Sequence, residues 1–384
     1  MSRSMSSFED IRPYRDDEVK VVLSKLLQED ELVSMLLKFR FPKSALWQRK
    51  LMKAPIRLWL RYKIRNLNSV FDFQCLVERY MQRMIKTTTD GLSSSGLSKL
   101  DLSKPHLFIS NHRDIALDPA FVNYILHING QDTLQIAIGD NLLSKTWIAD
   151  IMRLNRCFIV KRGADSKREK LANSKQLSAY IANTLGEQGD SVWIAQREGR
   201  AKDGIDRTNS ALISMLGINR DRESDFSSYI HSLNIVPVSI SYEFDPCDVA
   251  KAQEMVALRE TGSYAKEQDE DIHSIKTGIV GRKGKVHLHF GEVLRGSYDN
   301  AKQVAEAIDE QVIHNYRLMD SNWLALSHLD TQAKSEQPEL SREKLSESYF
   351  KSICQDLPNS VRDQLLQMYA NPILQSQRQS GTSL

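Results

Sequence analysis

The sequence predicts an α/β protein in which a sheet is flanked by helices, with further helices at both ends of the chain. Between His106 and about Leu294, short apolar runs of strand length alternate with longer amphipathic segments. Strands separated by helices are typical of an α/β sheet. The 384 residues, 41% hydrophobic and 26% charged, have the composition of a globular protein and suffice for a large buried core.

The predicted strands are short apolar runs bounded by polar residues or glycine. They cover residues 106–110, 134–138, 157–160, 192–195, 234–241 and 286–290. The helices predicted between them have apolar residues at helical spacing, over residues 119–127, 142–153, 166–185, 209–216 and 249–260. Strands and helices therefore alternate through this part of the chain.

Both ends of the chain are predicted to be helical, with a boundary before the first strand. Helices are expected over residues 18–38 and 43–84, and residues 90–104, which contain GLSSSGLS, are expected to be a turn-rich boundary. Later segments predict a helix over 301–325, a polar linker over 331–340, helices over 342–356 and 360–369, and a polar tail. We therefore divide the chain into a helical segment (1–100), an α/β domain (101–330), and a linker with a helical hairpin (331–384).

The span from Lys38 to Val70 contains no acidic residue and is rich in cations and aromatic residues. After Pro55, arginines recur at every fourth position and line one stripe of a helix: Arg57, Arg61 and Arg65. Basic amphipathic helices with Trp and Leu on the apolar side suit an anionic membrane surface. A helix packed on the protein's own core with a solvated basic face is an equal alternative. Nucleic acid is not the expected partner, because no nucleic-acid fold signature accompanies the span.

Composition also predicts the compartment. The four cysteines (75, 157, 247 and 354) are scattered, which argues against a disulfide framework or a zinc site and favours a reducing environment. We see neither a signal-peptide-like apolar stretch near the N-terminus nor about 18 uninterrupted apolar residues. The expectation is a cytoplasmic protein, peripherally associated with a membrane, without a transmembrane helix.

The most informative segment is the run SNHRDIALDP at residues 110–119, which lies between a predicted strand and a predicted helix. It places His112 within reach of two carboxylates, and a carboxylate that orients a histidine makes it a better general base. Asp118 is favoured as the partner over Asp114, and Asp118-Pro119 is also a good helix start. Taken alone, a capped helix start without chemistry is the commoner meaning of such a loop.

Three further segments contain polar residues at or beside predicted strands. Lys161 and Arg162 follow the strand 157–160, where ligands of open α/β sheets usually bind. Glu198, Gly199 and Arg200 follow the strand 192–195. Each set, taken alone, fits a solvated strand end or turn. The fourth segment, IVPV at 235–238, fits a structural strand with an edge or bulge at its proline.

Together, in this order and spacing, the four segments resemble the glycerolipid acyltransferase family, which includes the glycerol-3-phosphate and 1-acylglycerol-3-phosphate acyltransferases. The family blocks are Asn-His followed after four residues by Asp, a Phe-Ile-x-Arg-like strand end, Phe-Pro-Glu-Gly-Thr-Arg, and a strand with Val-Pro-Val. The resemblance covers about half of the chain, residues 106–294. Two departures stand out: five residues separate His112 from Asp118, and the third block has Gln196-Arg197 for Phe-Pro and lacks the threonine.

The resemblance implies a mixed sheet flanked by helices, a catalytic pair and an acceptor site. His112 takes the proton from an acceptor hydroxyl, which attacks the thioester of an acyl-CoA or an acyl-carrier protein, and Asp118 orients His112. Cations hold the phosphate of a glycerol-phosphate or lysophospholipid acceptor, and Glu198 with Gly199 lies beside a neighbouring hydroxyl. Those cations are Lys161, Arg162 and Arg200. Neither a metal nor another cofactor is implied.

Other classes fit less well. His-Arg-Asp at 112–114 also occurs in the protein kinase catalytic loop, but the Asn and the Asp-Phe-Gly that kinases require are missing. A metal-dependent phosphatase would need more His and Asp near strand ends. The alternative that stays open is a non-catalytic adaptor for membranes or nucleic acid, built on an acyltransferase-like domain with altered motifs.

Overall fold

The computed structural model describes residues 8–41, 43–143, 145–163, 165–221, 223–267, 269–330 and 338–381. It divides into two compact units, Met1–Met81 with Gln135–Asn173, and Gln82–Leu134 with Ser174–Leu384. Most of the polar linker predicted over 331–340 lies outside the described residues.

The smaller unit combines helices with a pair of parallel strands. Its elements are α1 (Asp16–Gln28), α2 (Asp30–Arg40), α3 (Leu46–Ile64), most of α4 (Val70–Thr88), β3 (Gln135–Gly139), α6 (Thr146–Leu154), β4 (Cys157–Val160) and the start of α7 (Lys167–Asn183). Strands β3 and β4 pair in parallel, with Ile136 opposite Cys157. The helix predicted over 18–38 is broken at Glu29, whose backbone is extended, because Asp30 and Glu31 begin a new helix there.

The larger unit contains a mixed sheet with the strand order β1-β7-β6-β2-β5. These strands are β1 (Thr89–Ser95), β2 (Leu107–Ser110), β5 (Val192–Ala195), β6 (Ile235–Tyr242) and β7 (Gly284–Phe290). The pair β6 and β7 is antiparallel, and the others are parallel. Its helices are α5 (Leu117–Ile128), α8 (Ser210–Leu216), α9 (Phe226–Ser232), α10 (Asp248–Thr261), α11 (Glu270–Val280), α12 (Ala301–His314), α13 (Asp320–Leu329), α14 (Glu343–Cys354) and α15 (Asn359–Ser380). The predicted α/β class is confirmed.

Strand β6 is not an edge strand, because it lies between β2 and β7, but its pairing with β7 begins only at Val238, one residue after Pro237. The backbone N–H and carbonyl groups of even-numbered residues of β6 face β2. An example is the Val238 carbonyl, which accepts from Asn111 N–H. The backbone groups of odd-numbered residues face the side of β7, where Gly291 N–H donates to the Pro237 carbonyl. Strand β7 ends at Phe290. Pro237 therefore lies opposite Gly291, one residue beyond the end of β7, and the N–H that proline lacks would face a residue outside that strand.

Several other boundaries differ from the prediction. The first part of the segment expected as a turn-rich boundary, residues 90–104, belongs to β1, because Leu92 to Ser95 pair with β7, whereas residues 96–104 form turns and a short helix as expected. The long helices predicted over 43–84 and 301–325 are each two helices, α3 with α4 and α12 with α13. Helices α9 and α11 were not predicted. The polar tail expected after residue 369 is helical as far as Ser380, where α15 ends, and residues 382–384 lie outside the described residues.

Helix α3 carries its charge differently from the predicted arginine stripe. The Arg57 guanidinium faces the junction of α1 and α2, where it pairs with Asp30 and donates to the Leu27 carbonyl. Arg61 and Arg65 are exposed. The outer face also exposes large apolar side chains: Trp47, Leu51, Leu58, Trp59 and Tyr62. Among the described residues, no helix is long and apolar enough to cross a membrane.

Candidate active site

His112 lies on the loop between β2 and α5, and its imidazole is hydrogen-bonded to a carboxylate. The distance from His112 Nδ1 to Asp118 Oδ2 is 2.9 Å. The Asp118 side chain is fully buried, whereas the imidazole keeps 14% of its surface exposed. An ionised carboxylate only accepts hydrogen bonds, so Nδ1 carries the proton and Nε2 keeps its lone pair. The pairing predicted from the sequence is present, and the imidazole has the tautomer that a general base needs.

The Asp118 carboxylate accepts four hydrogen bonds. Besides the imidazole, Oδ2 accepts from the backbone N–H groups of Arg113 at 2.6 Å and Asp114 at 2.9 Å. The other oxygen, Oδ1, accepts from the Tyr242 hydroxyl at 2.7 Å. Burial and the neighbouring Asp118 carboxylate raise the pKa of Tyr242 well above its ordinary value, so this hydroxyl stays protonated and donates. These bonds compensate the buried charge and fix the carboxylate that orients His112.

Asp114 has a different role from Asp118. Its Oδ1 accepts from the N–H groups of Ala116 and Leu117, at 2.9 and 2.8 Å, where α5 begins. The helix therefore starts two residues before Pro119, and the prediction that Asp118-Pro119 starts it was wrong. Burial, and then the Asp118 carboxylate, raises the pKa of Asp114. One carboxylate of the loop thus satisfies the helix start, which leaves the other for the imidazole.

Buried polar side chains hold the loop on both sides of His112. The amide of Asn111 exchanges two hydrogen bonds with the backbone of Ile240 and so continues the pairing of β2 with β6. Asp206 Oδ2 accepts from Asn111 Nδ2 at 3.0 Å and from Arg113 Nη2 at 2.6 Å. The Arg113 guanidinium also lies over the Tyr316 ring, 5.4 Å from its centre. The residues before and after His112 are therefore both fixed through Asp206.

The turn after β5 contacts the same loop through its backbone. Ala201 N–H donates to the His112 carbonyl at 2.7 Å. Gly199 has a φ of +74°, in the left-handed region that favours glycine. Glu198 is exposed, and Arg200 is 9% exposed with Nη2 donating to Ser274 Oγ at 3.4 Å. The first and third sequence blocks therefore meet, as expected of one site.

An aromatic ring lies beside the imidazole. The rings of His112 and Trp193 meet edge to face with centres 6.0 Å apart. Trp193 Nε1 donates to Ser110 Oγ at 3.1 Å, which fixes the indole in its position on β5. The pair of His112 and Asp118 thus has an exposed side at the imidazole, an apolar neighbour and a buried polar support. This arrangement suits proton abstraction from a hydroxyl.

Comparison with known proteins identifies the segment that carries this loop. Residues 91–241 match the family model described as Acyltransferase. These residues form an acyltransferase domain. The match confirms the prediction of an acyltransferase domain in this chain. Among solved structures, the 1-acyl-sn-glycerophosphate acyltransferase PlsC from Thermotoga maritima is similar, with a TM-score of 0.35 and 14% identity, over 76% of this chain and 94% of that chain. No curated protein matches the sequence.

Two of the predicted acceptor-binding residues of the acyltransferase domain lie in the smaller compact unit. Lys161 forms an ion pair with Asp10. Arg162 follows the end of β4, and its backbone N–H donates to the Asp140 carboxylate at 3.1 and 3.2 Å. Both residues therefore have partners within their own unit.

The sequence alone did not identify the residues that hydrogen-bond to Asp118 and to the residues flanking His112. Tyr242 ends the apolar run of β6, and Asp206 lies in a polar turn, so neither has a local pattern that signals its role. Among the described residues, no group of three or more His, Cys, Asp and Glu side chains is arranged to hold a metal ion.

Proposed function

We propose that this acyltransferase moves a fatty acyl group from a thioester to a hydroxyl of a glycerol-phosphate or a lysophospholipid. The observation that supports it is the hydrogen bond between His112 Nδ1 and the buried Asp118 carboxylate, within the segment that matches the family model. The donor is an acyl-CoA or an acyl-carrier protein. The acceptor class follows from the sequence resemblance to glycerolipid acyltransferases.

The reaction needs one base and no covalent acyl-enzyme. His112 Nε2 takes the proton of the acceptor hydroxyl while its oxygen attacks the thioester carbonyl carbon. The resulting tetrahedral intermediate collapses, the carbon–sulfur bond breaks, and the leaving thiolate takes the proton from His112. The products are an ester and a free thiol. Asp118 stabilises the imidazolium while it carries that proton, which is the role of carboxylates in His-carboxylate pairs.

Cations that follow strands are proposed to hold the acceptor phosphate. Lys161 and Arg162 follow β4, and Arg200 lies on the turn that donates to the His112 carbonyl. Since the Arg200 guanidinium is mostly buried against Ser274, a phosphate would take the place of that hydroxyl. Glu198, which is exposed on the same turn beside Gly199, would accept from a neighbouring acceptor hydroxyl.

The outer face of α3 is proposed to bind an anionic bilayer, where the lipid acceptor and product reside. Leu51 and Leu58 are 71% and 68% exposed, and Trp47 is 64% exposed. The helix contains no acidic residue, and Arg61 and Arg65 lie beside this apolar face. Exposed apolar side chains flanked by cations are typical of helices that lie in a membrane interface.

The test is a two-product assay with the full chain. Acyl-CoA is incubated with lysophosphatidic acid or with glycerol 3-phosphate, and we expect equal amounts of free thiol and of new ester. His112→Ala should lower the rate by about 10²–10⁴-fold. His328→Ala, at an exposed histidine of α13, is the matched control and should keep the wild-type rate. A folded wild-type protein that binds lipid vesicles but forms no ester would instead favour the non-catalytic adaptor.

A further inference from the structure

Helix α15 lies outside the matched segment 91–241, yet it packs on the turn that supports the His112 loop. Asn371 Nδ2 donates to the Asp203 carbonyl at 2.6 Å. A Cβ atom at Gly204 would overlap with the carbonyl oxygen of Met368. Only glycine therefore allows this close approach of the helix and the turn.

Proline explains why that carbonyl of α15 is available. Pro372 lies inside the helix and has no N–H, so the carbonyl four residues earlier, at Met368, loses its helical hydrogen bond. This is the carbonyl that Gly204 approaches. The interruption of the helix and the glycine of the turn are thus two parts of one contact.

Gln375 binds Asp206, two residues after Gly204, at both of its backbone groups. Its Oε1 accepts from Asp206 N–H at 2.9 Å, and its Nε2 donates to the Asp206 carbonyl. Both hydrogen bonds of one side-chain amide therefore go to a single residue. Such a pair of bonds fixes the position and the rotation of the Asp206 backbone together.

The Asp206 side chain connects this fixed backbone to the loop that carries His112. Asp206 is 3% exposed, and its carboxylate accepts from Asn111 and Arg113, the residues on either side of His112. Burial raises the pKa of this carboxyl, while Arg113 and Asn111 lower it. A small displacement of Asp206 would therefore move both ends of the short segment that carries the imidazole.

We propose that Gln375 is a positioning residue for His112, acting through the backbone and carboxylate of Asp206. This inference rests on the proposed function where it is tested by kcat, but not where it is tested by chemical modification of His112. The alternative is that Gln375 only holds α15 against the turn and has no effect on His112. The two roles predict different effects of removing the Gln375 side chain on the reactivity of the His112 imidazole in the folded protein.

The experiment compares three variants of the full chain. Gln375→Ala removes both bonds to Asp206. Gln377→Ala is the matched control, because within the described part of the chain this half-buried glutamine of the same helix makes no hydrogen bond to the turn. Ile373→Ala is the stability control, because Ile373 is 1% exposed in an apolar cluster with Leu326 and Ala370.

Two readouts are taken well below the melting temperature of every variant. The first is kcat with the KM values for acyl-CoA and for lysophosphatidic acid. The second is the rate at which diethyl pyrocarbonate modifies His112, followed by mass spectrometry of its peptide. For Gln375→Ala we expect kcat to fall about tenfold with both KM values within about twofold, and the modification rate to change by at least about threefold. Both controls should match the wild type, although Ile373→Ala melts at a lower temperature.

The proposal is overturned if the kcat and the His112 modification rate of Gln375→Ala equal those of Gln377→Ala. It is also overturned if Ile373→Ala loses kcat and changes in reactivity to the same degree, since the effect would then follow stability. A wild-type protein that forms no ester would contradict the proposed function. The rate of His112 modification in the three variants would still test this inference.

Discussion

The hydroxyl of Tyr242 donates to Asp118 Oδ1 at 2.7 Å, on the carboxylate oxygen that does not face His112. The last residue of β6 therefore reaches the orienting carboxylate from a different part of the sequence. Because β6 pairs directly with β2, the strand that ends before the loop, the two contacts on Asp118 are fixed relative to each other by the sheet.

Tyr242→Phe is expected to lower kcat by about tenfold, because Asp118 loses one of four donors and its orientation loosens. Unfolding free energy should fall by about 1.5–3 kcal/mol, the range for a hydrogen bond to a charged group. Steady-state kinetics and urea unfolding measure the two effects. Tyr264→Phe removes an exposed tyrosine's bond to Glu270 and should change neither. An unchanged kcat in Tyr242→Phe would show that three donors suffice.

Asp118→Asn and Asp114→Asn should separate the two carboxylates of the loop. Asparagine at 118 can donate to the imidazole, which favours the wrong tautomer, and kcat should fall by at least about 10². Asparagine at 114 still accepts from the N–H groups of Ala116 and Leu117, so kcat should stay within about threefold. The kcat of each variant, measured at the same pH, provides the comparison. The reverse order of effects would assign the orienting role to Asp114.

Arg162→Ala is expected to raise the KM for the acceptor about tenfold or more, while the KM for acyl-CoA stays near that of the wild type. The reason is the loss of a charge-assisted contact to phosphate, about 1.5–3 kcal/mol. Arg168→Ala, at an exposed arginine of α7, is the control. A raised KM for acyl-CoA alone would mean that this strand end binds the donor's phosphates.

Arg61→Glu with Arg65→Glu should abolish sedimentation with phosphatidylglycerol vesicles, and raised salt should weaken binding of the wild type. Arg57 is left in place because it holds Asp30. Lys99→Glu with Lys302→Glu, at residues whose side chains are 68% and 80% exposed, makes the same change in net charge elsewhere. Equal loss of binding in both pairs would mean that net charge, not the face of α3, drives association.

Stability should depend on pH through Asp248, whose pKa burial raises to about 6. A carboxyl with a raised folded-state pKa favours the folded state below about pH 4 and loses that contribution as the pH rises through about 6. Asp248→Asn cannot ionise, and its oxygen can still accept from Tyr349 and Tyr369. Relative to the wild type, its unfolding free energy should therefore rise between pH 4 and 7, by at most about 3 kcal/mol. A difference that stays flat over that range contradicts the assignment.

The short buried strands were predictable because their local pattern is sufficient. The apolar runs 157–160 and 192–195 are bounded by polar residues, and the strands have those same ends. Strand β1 has the polar sequence TDGLSSS, which does not favour a strand. It forms one because it pairs with β7, 192–195 positions away in the sequence, and no local signal reports such a partner.

The site was predictable where one short segment carries it and unpredictable where distant segments meet. His112 and Asp118 lie six positions apart, so the sequence alone suggests their pairing. Tyr242 lies 124 positions from Asp118, and its contact depends on how β6 is placed in the sheet. The orientation of the Arg57 side chain was unpredictable for the same reason, because the arginine repeat along α3 does not show which side of the helix packs on α1 and α2.

The bond between Asp206 and Gln375 also has a consequence during protein synthesis, because the two residues are 169 positions apart. At about 5–20 residues per second, a ribosome needs roughly 8–34 s to add the residues between them. His112 and Asp118 precede Asp206 in the chain and Tyr242 follows it, so for most of that interval the growing chain contains all three residues but not the helix that holds Asp206 in place. A ribosome-bound chain would therefore have the chemical groups of the site before it has their final arrangement.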